Sequence, residues 1–279
     1  MIVALIDNGS LEPAAHRGLR ALAAALGRAT DTVVHAVSWK HSDRIPAAAL
    51  DGTPAWTLAT FVRQMHALGQ REFLFVPLFL SAQGAIGSAL RRDLEKLRAD
   101  LGDFEIHFTD GLAARGVLPA ILADRIRETL GAAKLSRPPV ILVDHGGPSA
   151  ASAALRDHLG ADLRAVLGHE IGPLAVASME GDHPPLLADQ LRDPALAGRD
   201  VIVALLFLLP GRHAGPGGDI AQICSDATAA DSLASGALAR PAGPRPHLTD
   251  LIAHHPLALE ALTAALRAAL RPLHVPLSA

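Results

Sequence analysis

The chain has 279 residues, half of them hydrophobic and 19% charged, which excludes a disordered polymer. Lys and Arg number 25 against 28 Asp and Glu, a formal charge of −3, so a general nucleic-acid binder, which needs a basic surplus against phosphate, is excluded too. One cysteine, Cys224, leaves no intrachain disulfide, fits a reducing cytosol and reads as a small buried hydrophobe, while 3% aromatics and no tyrosine leave Ala, Leu, Val and Ile to fill the core.

The start, Ile2-Val3-Ala4-Leu5-Ile6, reads as a buried strand; it has no basic flank and reaches Asp7 too early for a signal peptide. Asn8-Gly9-Ser10 then matches a glycosylation sequon, a chance match without a secretory signal. Amphipathic spacing predicts helices over 13–27 and 54–68, with Val37-Ser38-Trp39-Lys40 between them and an apolar strand Phe73 to Leu80 after them. Neither Trp39 nor Trp56 is assigned a role, and core packing is the default for both. A polar, proline-containing stretch from Lys134 to Pro139 precedes a second strand-like run, Val140 to Val143, and then Asp144-His145-Gly146-Gly147-Pro148-Ser149, with Ser149 as a helix N-cap. A helix is predicted over 149–167, a strand over 171–177 leading to Ser178-Met179-Glu180, and a strand over 201–208. That last strand runs into the glycine-rich loop Pro210-Gly211-Arg212-His213-Ala214-Gly215-Pro216-Gly217-Gly218-Asp219. A last helix is predicted over 247–271, with His247, His254, His255 and His274 on or beyond it as scattered surface histidines. The longest apolar run, Val201 to Pro210, is about half of what a bilayer-spanning helix needs, so a cytoplasmic protein with no membrane partner is expected.

The chain repeats itself. Residues 2–10 read like 140–147, pairing Asn8 with His145; Val37 to Lys40 lie on Ala177 to Glu180; and Phe73 to Leu80 resemble Val201 to Leu208. Three matches in one order mean a tandem duplication, with an N-terminal lobe over 1–136 and a C-terminal lobe over 137–279. Strand and helix alternate in each, which predicts two doubly wound parallel α/β sheets facing a central cleft. In such sheets ligands bind beyond the carboxyl ends of the strands, where strand order reverses. His145, Glu180 and His213 all stand just after strands. A lone histidine there is usually structural, but two imidazoles and a carboxylate on one edge suit Co²⁺, Fe²⁺, Ni²⁺ or Zn²⁺, or put a proton acceptor beside a ligand. The loop around Gly217 fails the dinucleotide fingerprint, because Ile220 stands where the third glycine belongs, and it reads instead as a helix start able to hold a carboxylate.

Asp144-His145-Gly146, Ser178-Met179-Glu180, and Leu206-Phe207-Leu208 running into His213 resemble the class II sirohydrochlorin chelatases, the cobaltochelatase type, in a fused two-lobe form. The resemblance implies ATP-independent insertion of a divalent metal into sirohydrochlorin. His145, Glu180 and His213 would be both the metal-handling and the catalytic residues. No tightly bound cofactor is implied; the metal is a substrate, Co²⁺ first and Fe²⁺ or Ni²⁺ as alternatives. Sirohydrochlorin is the partner, nucleic acid is not, and a monomer is expected because both lobes lie in one chain. Its eight carboxylates call for cations and open backbone, for which Arg212, Gly146, Gly217, Arg91, Arg92 and Lys40 are the candidates. Asn8, Lys40 and Ala85 replace the three site residues in the first lobe, so one site in the second lobe is expected. A non-catalytic metal or tetrapyrrole carrier is the competing reading; a phosphoryl-transfer enzyme is disfavoured by the absence of a Walker motif.

Overall fold

A computed structural model describes residues 1–80, 85–147, 150–229 and 243–271. The first half runs β1 (Ile2–Asp7), α1 (Pro13–Thr30), β2 (Val34–Ser38), β3 (Trp56–Thr57), α2 (Leu58–Ala67), β4 (Glu72–Pro77), α3 (Ala85–Leu101), β5 (Glu105–Phe108) and α4 (Leu118–Ala133). The second runs β6 (Val140–Asp144), α5 (Ala150–Leu167), β7 (Leu174–Ser178), α6 (Leu187–Leu191), β8 (Asp200–Leu205), α7 (Asp219–Ala229), β9 (Arg245–Leu248) and α8 (Pro256–Leu270). Among the described residues no helix is long and apolar enough to cross a membrane.

Two parallel sheets result, in the orders β3-β2-β1-β4-β5 and β7-β6-β8-β9. The second is the first without its edge strand: where Ser38 pairs with Thr57, Ser178 makes only an isolated bridge to Leu186. Central strands are buried on both faces, as in all five residues of β6, which is why they read as unbroken apolar runs rather than as alternation. In the first sheet Ala4, Ile6, Phe73 and Phe75 meet Leu58, Phe61 and Val62 of α2 and Leu90, Leu94 and Leu97 of α3. In the second, Ile141, Val143, Val201 and Val203 meet Leu187 and Leu191 of α6 and Ile220 and Cys224 of α7. Cys224 is the buried hydrophobe expected, its thiol pushed up to about 11 by burial.

The backbone repeats in detail. Leu78 N–H donates to Ile6 O at 2.8 Å and Leu206 N–H to Val143 O at 2.9 Å; Trp39 N–H donates to Asp7 O and Met179 N–H to Asp144 O, both at 2.8 Å. Asn8 and His145 thus occupy one position of the repeat, and Lys40 and Glu180 another.

Compactness divides the chain differently from the expected seam at 136/137. One unit is Met1–Arg115 with Pro256–Ala279, the other Gly116–His255. The terminal helices of the two copies are exchanged: α8 packs on α1, and α4 on α5 and β8. An apolar stripe such as Leu118, Ile121, Leu122 and Ile126 of α4 specifies burial but not which sheet supplies it. The helix expected over 247–271 begins only at Pro256, because Arg245–Leu248 forms β9 against β8, where His247 bonds Asp200 at 2.9 Å. Trp39 is half-buried against the core as expected, whereas Trp56 lies exposed on the edge strand β3. Ser149, His274 and the side chain of Ala85 lie outside the described residues.

Beneath the ends of β1 and β2 a polar group is buried. Ser38 Oγ lies 3.4 Å from His16 Nδ1 and also bonds the Asp7 carboxyl. Burial pushes Asp7 up to about 6, against hydrogen bonds that favour its charge, and pushes His16 down to about 4, with Arg20 adding to the effect. Asp7 therefore contributes stability that is present below its unfolded value and lost as pH rises through about 6. His16 contributes stability that is present above its unfolded value and lost as pH falls through about 4.

Between pH 4 and 6 the two slopes oppose each other, since folded and unfolded states each hold about one proton on this pair. Urea melts at pH 4, 5 and 6 should show Asp7→Asn losing stability toward pH 4 and His16→Gln losing it toward pH 6, each by up to about 1.4 kcal/mol per pH unit relative to wild type. Parallel pH profiles in all three proteins would refute this. For the helix exchange, Leu266→Ala, which truncates a fully buried α8 residue, should cost about 2–5 kcal/mol and raise amide exchange in α1 and β4 rather than in α5.

Candidate functional site

At the carboxyl edge of the second sheet, β6 lies between β7 and β8, so the residues after these three strands are neighbours although they are 35 and 33 apart in sequence. Their backbones are tied by a buried group under the strand ends. Ser178 Oγ donates to Asp144 Oδ1 at 2.9 Å, and Arg156, only 2% exposed, donates from Nη1 to Ser178 Oγ and sits 3.6 Å from Asp144. Burial raises the Asp144 pKa, while Ser178 and Arg156 pull it back down. Removing the guanidinium would strand a buried carboxylate, the expensive way to break such a pair.

Above this base the chain turns sharply. Gly146 has φ +82°, and a Cβ there would fall 1.8 Å from the carbonyl oxygen of Glu180. The loop after β6 therefore lies directly on the loop after β7, and Glu180 N–H donates to His145 O at 3.2 Å. Gly181, at φ +94°, completes the contact from the other side.

The three expected side chains converge. The rings of His145 and His213 meet edge to face with centroids 4.6 Å apart, and His145 Nε2 is 3.5 Å from Glu180 Oε1. All three remain partly exposed. His213 Nδ1 lies 2.6 Å from Asp219 Oδ2, and His145 Nδ1 lies 2.9 Å from Gly146 O. A carboxylate and a carbonyl oxygen only accept, so in the neutral rings both Nδ1 atoms carry the proton and both Nε2 atoms present a lone pair. Two imidazole lone pairs and one carboxylate can receive a divalent ion or accept protons. The arrangement is open: among the described residues, the trio whose candidate ligand atoms all lie within 4.8 Å of one another is Glu72, Glu105 and His107, elsewhere in the chain.

Asp219 was not among the expected site residues. Its signal in the sequence was an acid six positions after His213, at the first residue of the following helix. It also draws Arg212, whose Nε is 3.6 Å away and whose side chain is 78% exposed. The expectation that this helix start would hold a ligand carboxylate needs correcting, because α7 carries its own carboxylate there and a second would be repelled. Gly217 has φ +71° with nothing within 4 Å of an added Cβ, so a left-handed turn, not a close approach, requires it. Lys40, Arg91 and Arg92 belong to the other compact unit: Lys40 Nζ is 3.5 Å from Asp93, the Arg91 guanidinium lies 4.3 Å from the Phe108 ring centre, and Arg92 is exposed on α3.

Residues 2–129 match the CbiX family model. That span contains Asn8 and Lys40 but not His145, Glu180 or His213. No curated protein matches the chain in sequence. Solved structures match it over nearly its whole length. SirB from Bacillus subtilis with Fe³⁺ has a TM-score of 0.60 at 12% identity, covering 96% of this chain and 95% of that one. CbiX, described as the terminal enzyme of siroheme biosynthesis in denitrifying bacteria, has 0.60 at 19% identity, covering 97% and 100%. The sirohydrochlorin chelatase SirB from Bacillus subtilis subspecies spizizenii, in complex with cobalt, has 0.58 at 12% identity, covering 96% and 94%. The fold is therefore that of the chelatases, two parallel-sheet lobes in one chain.

The glycine contact can be tested directly. Gly146→Ala must push the Glu180 loop away, so it should destabilise by about 2–4 kcal/mol and misplace both His145 and Glu180; Gly217→Ala adds only left-handed strain and should cost about 1–2 kcal/mol. Thermal midpoints of the two variants compare them, and equal losses would mean that the close approach is not tight.

Proposed function

We propose, from a CbiX-family first lobe and a chelatase fold over the whole chain, that this protein inserts a divalent metal into sirohydrochlorin, with Co²⁺ the first candidate and Fe²⁺ or Ni²⁺ as alternatives. The observation that carries the reading is the convergence of His145, Glu180 and His213 on one sheet edge, with the Asp219 carboxylate on His213 Nδ1. Insertion of M²⁺ releases the two pyrrole N–H protons of the macrocycle, so the reaction needs a place for the ion and acceptors for two protons. His213, oriented by Asp219, receives the metal together with His145. Glu180, 3.5 Å from His145, takes a pyrrole proton. No nucleotide is consumed, because coordination and proton loss to solvent drive the exchange.

Arg212, together with the backbone at Gly146, is assigned to the carboxylates of the macrocycle. The protein is read as a cytoplasmic monomer without a resident cofactor. A carrier that binds metal or tetrapyrrole without turnover is the second reading, favoured by Asn8 and Lys40 standing at the repeat positions of His145 and Glu180.

Turnover decides between them. Purified protein, sirohydrochlorin and each metal in turn should give the absorption change of the metallated product; binding without that change would establish the carrier. His213→Ala should lower the rate about 10²–10⁴-fold while shifting stability by only about 1 kcal/mol, because a partly exposed imidazole leaves no apolar cavity. Asp219→Asn, which removes the charge that orients that imidazole and draws Arg212, should cost about 10–100-fold. His158→Ala, 76% exposed on α5, serves as the control that retains wild-type rate. A His213→Ala protein with undiminished turnover would move the chemistry elsewhere.

A further inference from the structure

The first lobe lacks the histidine and glutamate of the second, yet its corresponding edge holds a cavity of about 450 Å³, a size typical of small-molecule sites. The cavity lies beside the residues after β2, with Trp39, Lys40 and Arg44 on one side and Lys96 of α3 and Arg63 of α2 on the other, over an apolar floor of Leu58 and Leu97.

The backbone at its mouth is strained. His41 has φ +71° and ψ −34°, and Ser42 N–H donates back to Lys40 O at 2.9 Å, closing a γ-turn of a kind side chains rarely tolerate. Ser42 holds the turn in place: it is buried, 2.9 Å from Ser38 Oγ and 3.0 Å from Ser10 O. The repeat shows what the turn requires. The residue after Glu180 is Gly181 at φ +94°, so the second lobe meets the same left-handed requirement with glycine. The first lobe keeps an imidazole where glycine would be unstrained. Strain retained at a cavity rim points to work done by the side chain.

The charges indicate the ligand. Four cations, Lys40, Arg44, Arg63 and Lys96, face three acids, Asp43, Asp93 and Asp100. Lys40 and Lys96 share Asp93, each at 3.5 Å, and Arg63 reaches Asp100 at 3.5 Å; these are long contacts between half-exposed or exposed groups that a ligand anion can displace. Among the described residues Arg44 makes no ion pair and no side-chain hydrogen bond, so its guanidinium offers a fork for a carboxylate. Trp39 is not available for stacking, since its inner side packs on the core and the Lys40 ammonium lies 4.0 Å from its ring centre.

We propose that this cavity binds a small organic polycarboxylate, with Arg44 and His41 as its first contacts, Lys40 and Lys96 turning to it from Asp93, and its apolar skeleton on Leu58 and Leu97. The site needs no metal and no tetrapyrrole, so it stands or falls apart from metal insertion.

The chain has two tryptophans, Trp39 and Trp56, and a Trp56→Phe background leaves Trp39, beside Lys40, as the reporter. Titration with benzene-1,3,5-tricarboxylate should change Trp39 fluorescence saturably in the micromolar to millimolar range, more tightly at low salt. Arg44→Glu should weaken binding at least tenfold. His41→Gly should weaken it several-fold while raising the thermal midpoint by a few degrees, because strain is relieved as a contact is lost. Three results would each overturn the proposal: no saturable change, unaltered affinity in both variants, or inorganic phosphate binding as tightly as the tricarboxylate, which would make the cavity a general anion patch.

Discussion

The close approach of two loops at a sheet edge governs this molecule. At Gly146 there is no room for a β-carbon, because the Glu180 carbonyl lies where one would sit; at Gly9 the Lys40 carbonyl imposes the same limit. With that contact made, the residue before the glycine and the residue two beyond the next strand stand side by side. In the second lobe those residues are His145 and Glu180, and the loop after β8 brings His213 against them. Chemistry at this edge follows from a packing constraint that only glycine satisfies.

The same scaffold carries different polar groups in the two copies. Beneath each edge lies a buried aspartate bonded to a serine, Asp7 with Ser38 and Asp144 with Ser178. The third member of each group differs: neutral His16 in one, the guanidinium of Arg156 in the other. A buried carboxylate beside a neutral ring is driven toward its protonated form, whereas one beside Arg156 has its charge compensated. On the surface the difference is one of side-chain chemistry. The second lobe presents lone pairs suited to a metal ion and protons; the first presents cations around a cavity.

Exchange of the terminal helices makes the duplication more than two beads on a string. Since α8 completes the unit built by residues 1–115, and α4 the unit built by 116–255, neither half of the sequence holds a full set of packing partners. The burial of Leu262 and Leu266 is thus tied to a sheet more than 150 residues earlier in the chain.

The sequence by itself determined the duplication, the parallel α/β class and the gathering of His145, Glu180 and His213 on one edge. Unbroken apolar runs can only be strands covered on both faces, and residues that follow such strands must gather at one edge. Tertiary structure alone decided the partners. Asp219 could be seen as an acid opening a helix, but its bond to His213 depends on how the glycine-rich loop folds back, a matter of several φ angles that no periodicity encodes. Likewise α4 and α8 announce an apolar face without naming the sheet beneath it, since the hydrophobic effect is proportional to area and indifferent to address. His247 and Leu248 read as the start of a helix because Arg-Pro-His-Leu has no strand pattern of its own; pairing with β8 supplied it. No motif marks His41 in the sequence, and only its backbone angles, set against those of Gly181, show that it is held under strain.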